Sequence, residues 1–143
     1  ITDKWSHVHD QIGFNYRLPN INAALGCAQL EQLDKFIESK RTLAQNYQEV
    51  FKNIKGVRFF TETEWARSNY WLNVLLLDRC YAHQRNQLLD LTHDSGIMTR
   101  PTWRLMHKLP MFKDCPRMDL NVAESIESRL VNIPSSSFLA REG

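Results

Sequence analysis

The sequence predicts an α+β fold, in which helices cover one face of a small, mostly antiparallel sheet. Three observations carry this prediction: two helical apolar patterns open the chain, short apolar strand patterns follow, and helical patterns recur between those strands. The chain has 143 residues, of which 43% are hydrophobic and 24% charged, so it can bury a core of its own as one domain.

The first predicted element is a helix that follows an irregular arm. Residues 1–19 show no sustained period, and Asn20 is of a type that caps helices through its side-chain oxygen. Small residues recur beyond it, among them Gly26, and a glycine inside a helix costs about 1 kcal/mol relative to alanine. We therefore expect another backbone to pack closely against this helix.

A second, longer helix and two strands follow. Apolar side chains of residues 33–51 fall on one face with the period of an α-helix, and Gly56 suits the left-handed position beyond its carboxyl end. Residues 57–60 predict a short strand. Residues 70–77 predict a nearly continuous apolar strand, which is typical of a central place in a sheet.

The next predicted elements are a helix over residues 82–95 and a strand over residues 97–100. Pro101 is expected to stop this strand because proline lacks a backbone N–H. Three leucines of the helix are expected to face inward: Leu88, Leu89 and Leu91.

The chain is then predicted to be irregular over residues 102–118, with a last helix capped by Asp119. Residues 131–134 are predicted to form an edge strand, because a proline closes them. We assign residues 1–19 to an arm or loop and residues 20–143 to a single small domain.

Composition argues against several classes of function. The net charge of +2, from 18 basic and 16 acidic residues, is too balanced for a nucleic-acid partner, and no apolar run is long enough to span a membrane. Cys27, Cys80 and Cys115 lie far apart, which argues against a disulfide framework or a zinc site and favours a cytoplasmic location. The pair His7 and His9 is not expected to bind a metal.

Candidate functional residues lie in the non-helical segments, which carry function more often than packed elements do. The polar and aromatic residues that stand out there are Asn15, Tyr16, Arg17, Arg100, Trp103 and His107. An arginine can hold a phosphate or carboxylate with two hydrogen bonds, and a tryptophan can stack on a base or sugar. The competing interpretations are a structural ion pair for Arg17, a surface arginine for Arg100 and a core residue for Trp103.

Residues 10–26 read DQIGFNYRLPNINAALG, and residues 29–33 continue as QLEQL. This segment resembles the pattern G-[YF]-N-[YF]-R-[ML]-x-[ND]-x-x-A-A-x-G of the DegT/StrS family of sugar-nucleotide aminotransferases. Weaker similarity at residues 71–74, 95–101 and 130–135 extends the resemblance to nearly the whole chain. The chain covers well under half of such an enzyme.

The resemblance implies the carboxy-terminal small domain of a fold type I aminotransferase that depends on pyridoxal 5'-phosphate and works as a homodimer. Such enzymes transfer an amino group, usually from glutamate, to a 4-keto sugar linked to a nucleotide. Their products enter surface polysaccharides, lipopolysaccharide or other amino sugars. The sequence of residues 98–101 and 132–135 favours UDP-linked sugars.

Individual roles follow from the same resemblance. Asn15 matches the asparagine that donates to the cofactor phosphate in the partner subunit, and an amide donates whatever the local pH. Arg17, Arg100, Trp103 and His107 are assigned to substrate binding. Many relatives have a His-aromatic pair where this chain has Arg100 to Trp103, so the substrate contacts differ from the family pattern.

No lysine of the chain has the context of the family's Schiff-base lysine, and all are predicted to be solvated side chains. The resemblance implies that this lysine lies in an amino-terminal domain, so the chain by itself is predicted to be inactive. The alternative interpretation is a non-catalytic dimerisation module built on the small-residue helix around Gly26 and on the long amphipathic helix.

Overall fold

The computed structural model describes residues 10–14 and 16–140, and it confirms the predicted α+β fold. Its helices are α1 (Asn20–Leu30), α2 (Leu33–Phe51), α3 (Arg85–Asp94) and α4 (Asn121–Glu127), and its strands are β1 (Val57–Phe59), β2 (Asn73–Leu77), β3 (Arg100–Pro101) and β4 (Leu130–Ile133). Short 3₁₀ turns lie at Arg79–Gln84, Met106–Lys108, Pro110–Phe112 and Ser137–Ala140.

The four strands form one antiparallel sheet in the order β1-β2-β4-β3. Leu75 of β2 lies opposite Phe59 on one side and Val131 on the other, so β2 is central as predicted. The prediction that residues 131–134 form an edge strand was wrong. β4 lies inside the sheet, and Pro134 follows its last residue, where proline does not interrupt the hydrogen bonds of the strand.

The third strand is shorter than predicted and is shifted towards the carboxyl end. Arg100 pairs with Asn132 and Pro101 pairs with Val131, so the proline lies within the strand rather than stopping it. Since β3 is an edge strand, the missing proline N–H leaves no ladder bond unmade on its open side.

Helix α2 covers the sheet and forms the core with it. Its Ala44 packs with Phe59 and Leu75, and the half-buried rings of Tyr47 and Phe51 surround this contact. Each of these α2 positions belongs to the face that the sequence pattern predicted. Burial of such a face supplies most of the stability of a helix in a protein of this size.

Helix α3 packs Leu89 into a fully buried position, while Leu88 is half-buried. The prediction that Leu91 also faces inward was wrong, since its side chain is 58% exposed. Two residues along an α-helix turn the side chain by roughly 200°, so Leu89 and Leu91 point in nearly opposite directions. Residues 82–84 form part of a 3₁₀ turn, and α3 begins at Arg85.

None of the three residues predicted at helix ends caps its helix, although Gly56 has the predicted left-handed backbone. Gly56 has a φ of +85° but lies directly before β1, since α2 ends at Phe51 with Lys52 as its cap, and a Cβ there would lie 2.6 Å from the Tyr81 ring. Asp119 accepts from the backbone amide of Asn121 at 3.2 Å, but the cap position of α4 is Leu120 and no side-chain bond caps this helix, so the predicted cap was wrong. Asn20 is the first helical residue, and no side-chain bond caps α1, so its predicted capping role was wrong.

The side chains of Cys27, Cys80 and Cys115 are exposed and form no disulfide. Within residues 10–14 and 16–140, no helix has the length and apolarity needed to cross a membrane. The pair His7 and His9 lies outside the described residues.

Candidate functional site

A cleft of about 500 Å³ lies at the open edge of the sheet, where β3, β4 and the segment before β2 meet. Arg100 and Trp103, two of the predicted site residues, both line it. The structure adds residues that the sequence analysis did not select: Lys40 from α2, Trp71 from the segment before β2, and Arg104. Basic and aromatic side chains are therefore gathered at one place.

The aromatic part of the cleft is a pair of tryptophans. The ring centroids of Trp71 and Trp103 lie 6.0 Å apart, and their planes differ by 22°. Both side chains remain mostly exposed, at 64% and 65%. Trp103 is therefore not a core residue, and both rings of the stacked pair remain accessible to a ligand.

The charged part consists of Lys40, Arg100 and Arg104. Across residues 10–14 and 16–140, none of these three side chains pairs with an acidic group. The Lys40 ammonium donates to the carbonyl oxygens of Ser135 at 2.5 Å and Trp71 at 3.4 Å, and partial burial lowers its pKa. Lys40 is thus half-buried rather than fully solvated as predicted, and the cleft carries positive charge that an anion would neutralise.

Backbone and side-chain bonds hold the wall of the cleft in place. The side-chain amide of Asn132 donates to the backbone carbonyl of Pro101 at 3.1 Å and ties β3 to β4. The Ser135 hydroxyl donates to the carbonyl of Ile133 and accepts from the amide of Asn73, each at 2.7 Å. Arg100 therefore extends from a strand whose position is fixed by its neighbour.

An ion pair fixes the loop that carries Trp71. Arg41 of α2 binds the Glu62 carboxylate through both terminal nitrogens, at 2.5 Å and 3.0 Å. The hydrogen bond from Arg41, together with that from the Ser68 amide, lowers the pKa of Glu62 to about 2. Arg41 also donates to the Ser68 carbonyl, so the loop between β1 and β2 is anchored to the long helix.

His107 does not join Arg100 and Trp103. It lines a separate cavity of about 470 Å³ beside Phe112 and Leu120, and its Nε2 lies 2.9 Å from the Glu124 carboxylate of α4. This contact ties the irregular segment 102–118 to the last helix.

The arm contributes an exposed basic group. Arg17 is exposed, and in the described part of the chain it has neither an ion pair nor a hydrogen-bond partner. Tyr16 is 83% exposed and stacks on Phe14 with a centroid distance of 5.5 Å. Asn15, the predicted phosphate donor, lies outside the described residues.

A larger cavity of about 770 Å³ separates α2 from α3 on the sheet. Its lining is mostly apolar, with side chains such as Phe51, Leu77 and Leu88, and Lys55 is the charged residue at its rim. The smaller cleft, which is lined by three basic side chains, is therefore better suited to an anionic ligand than the larger, mostly apolar cavity.

The chain is similar to known sugar aminotransferases. The profile of the DegT/DnrJ/EryC1/StrS aminotransferase family matches residues 2–143. GDP-perosamine synthase from Escherichia coli O157:H7 is 39% identical over 94% of the chain, and the putative pyridoxal phosphate-dependent aminotransferase EpsN from Bacillus subtilis is 34% identical over the same share. The chain spans 35% of the length of each of these two relatives.

A solved structure gives the same result for the fold. Helicobacter pylori PseC, an aminotransferase involved in the biosynthesis of pseudoaminic acid, superposes with a TM-score of 0.77 over 96% of this chain and 37% of its own. At 20% identity, this likeness concerns the fold. Together with the sequence matches, it leads to one conclusion: the chain belongs to the DegT/DnrJ/EryC1/StrS aminotransferase family.

Proposed function

We propose that this chain supplies the nucleotide-binding wall of a pyridoxal-phosphate-dependent aminotransferase. The reaction moves an amino group from glutamate to a nucleotide-linked 4-keto sugar, and it leaves 2-oxoglutarate and a 4-amino sugar. The product would serve surface polysaccharide, lipopolysaccharide or other amino-sugar biosynthesis. The family membership supports the reaction class, and the cleft supports the substrate class.

The observation that carries the proposal is the joint presence of the tryptophan pair and three basic side chains that have no acidic partner among the described residues. A nucleoside diphosphate presents a flat base and two charged phosphates, so one ligand satisfies both halves of the cleft. Arg100 can bind a phosphate through two parallel hydrogen bonds. Trp103 can stack on the base or on the apolar face of a sugar.

The cofactor, when bound, supplies an electron sink for the transfer of the amino group. Asn15 is the residue proposed to donate to the phosphate of this cofactor, and Arg17, which is exposed and free of acidic partners within the described residues, is proposed to bind the substrate. We propose that Asn15 and Arg17 reach the site of the partner subunit in a homodimer. His107 would then act by positioning the segment that carries Trp103.

Assays of the protein as its gene encodes it test this function. The protein is incubated with glutamate and, in separate reactions, with GDP-, dTDP- and UDP-linked 4-keto-6-deoxy sugars, and the products are identified by mass spectrometry. We expect one nucleotide series to give an amino sugar together with an equal amount of 2-oxoglutarate. Binding of nucleoside diphosphates without amine transfer to any of the three series would contradict the proposal.

A further inference from the structure

We propose that Trp71 is a second residue that contacts the nucleotide, and that Arg41, Glu62 and Tyr70 are positioning residues that hold Trp71 beside Trp103. This inference rests on the proposed function, because it concerns the same cleft. The sequence pattern placed Trp71 in a strand, whereas β2 begins two residues later at Asn73. Trp71 therefore belongs to the loop rather than to the sheet.

The backbone of Tyr70 has a φ of +45°. A bulky residue rarely adopts this conformation, and it persists only where the surroundings impose it. Such outliers cluster at ligand-binding and catalytic sites. Here the unusual turn comes directly before Trp71, so it sets the direction in which the Trp71 side chain leaves the backbone.

Several contacts converge to impose this turn. The Arg41 guanidinium lies 5.6 Å from the centre of the Tyr70 ring, and the Tyr70 hydroxyl accepts from the amide of Glu62 at 3.3 Å. The Tyr70 amide donates to the Ser68 hydroxyl at 3.0 Å. Arg41 thus contacts both ends of the segment from Glu62 to Tyr70, which leads to Trp71.

Trp71 itself is held by its backbone while its ring stays exposed. The Trp71 amide donates to the Asn69 side chain at 3.0 Å, and its carbonyl accepts from Lys40 at 3.4 Å. The indole ring contacts Trp103 but remains 64% exposed. An ordered backbone beneath an exposed aromatic ring is what a stacking surface needs, and core packing does not require it.

The test uses the protein as its gene encodes it and measures dissociation constants by calorimetry. The probes are GDP, UDP and dTDP, with inorganic pyrophosphate as the ligand that lacks a base. Trp71→Ala is expected to weaken binding of the preferred nucleoside diphosphate by about 5- to 100-fold, as removal of a stacking partner does. Pyrophosphate affinity should stay unchanged, and Trp71→Phe should restore most of the nucleotide affinity.

The positioning residues are tested by Glu62→Gln and by Tyr70→Asn, since asparagine tolerates a positive φ but lacks the ring. Both are expected to weaken nucleotide binding by roughly 3-fold or more while pyrophosphate affinity is retained. The matched control is Glu49→Gln, which breaks the exposed Glu49–Lys52 pair at the end of α2, the helix that carries Arg41, and should change neither affinity.

Two outcomes separate this inference from the function it rests on. If Trp103→Ala weakens nucleotide binding but Trp71→Ala does not, the role of Trp71 is refuted and the proposed function stands. If the unmodified protein binds none of the nucleoside diphosphates, the proposed function itself fails. If Trp71→Ala acts as expected while Glu62→Gln and Tyr70→Asn behave like Glu49→Gln, the positioning roles are overturned.

Discussion

Helices α1 and α2 are neighbours in the chain but differ in what they bury. Helix α2 buries Leu43 and Ala44 to 5% and 2% exposure against the rest of the domain. Helix α1 has no buried residue, and its Ile21 and Leu25 are 81% and 61% exposed. The domain therefore draws its stability from α2 and the sheet rather than from α1.

The exposed apolar residues of α1 and of the arm also bear on function. Soluble proteins seldom expose a continuous apolar surface unless another surface covers it. The arm and α1 together expose such residues, including Phe14, Leu18 and Leu30. This agrees with the proposed homodimer, in which α1 and the arm serve assembly and cofactor binding while α2 and the sheet support the substrate cleft.

The largest expected difference comes from a pair of leucine substitutions. Leu89→Ala in α3 should lower the free energy of unfolding by about 2–5 kcal/mol, because it leaves a cavity at a fully buried position. Leu25→Ala in α1 is the matched control and should change it by less than about 1 kcal/mol in the 143-residue chain. Urea denaturation measures both values, and an equal loss for the two variants would contradict the comparison.

A pair of glycine substitutions should act in opposite directions. Gly56→Ala should destabilise the chain by about 1–3 kcal/mol, because φ is +85° and a Cβ would lie 2.6 Å from Tyr81. Gly26→Ala should stabilise it by up to about 1 kcal/mol, because nothing within the described residues lies within 4 Å of a Cβ there. Destabilisation of the 143-residue chain by Gly26→Ala, measured in the same way, would show that α1 already packs closely.

Acid should lower the stability of the part of the domain formed by α2 and the sheet, because it protonates Glu62. Its pKa is about 2 in the folded chain, against an ordinary value of 4.5. The stabilisation from its bond to Arg41 is therefore fully present above pH 4.5 and is lost as pH falls towards 2. The urea midpoint of the unmodified chain should fall more steeply over this range than that of Glu62→Gln. Parallel curves would show that the Arg41–Glu62 ion pair does not contribute to the pH dependence of stability.

The smallest effect on stability is expected in the arm. Asn15→Ala, in the protein as its gene encodes it, should leave the thermal midpoint nearly unchanged while the pyridoxal phosphate dissociates more readily on dialysis. The reason is the predicted bond from the Asn15 amide to the cofactor phosphate. A lower midpoint with normal cofactor retention would mean that Asn15 is a structural residue instead.

The sequence predicted the elements whose evidence is local. Helix α2 and strand β2 were recognisable because their apolar patterns are long and regular, and Gly56 was recognisable as a residue with a left-handed backbone, although it lies before β1 rather than at the end of α2. The place of β4 inside the sheet was not, because strand order depends on pairing between residues that are distant in the chain, such as Val131 and Leu75.

The same distinction applies to the candidate site. Arg100 and Trp103 were recognisable because they lie three residues apart in one non-helical segment. Lys40 and Trp71 reach the cleft from other parts of the fold, so no local pattern marks them. The pairing of Arg41 with Glu62 spans 21 residues, and the left-handed turn at Tyr70 has no signal in the amino-acid type.

The central claim, that the cleft at β3 binds the phosphates of the nucleotide sugar, is tested most directly by Arg100→Ala in the protein as its gene encodes it. Steady-state kinetics should show KM for the nucleotide sugar raised by about 10- to 100-fold, as loss of charged hydrogen bonds predicts, and KM for glutamate unchanged. Arg58→Ala, an exposed arginine on β1, is the control and should alter neither constant. An unchanged KM for the nucleotide sugar in Arg100→Ala would contradict the claim.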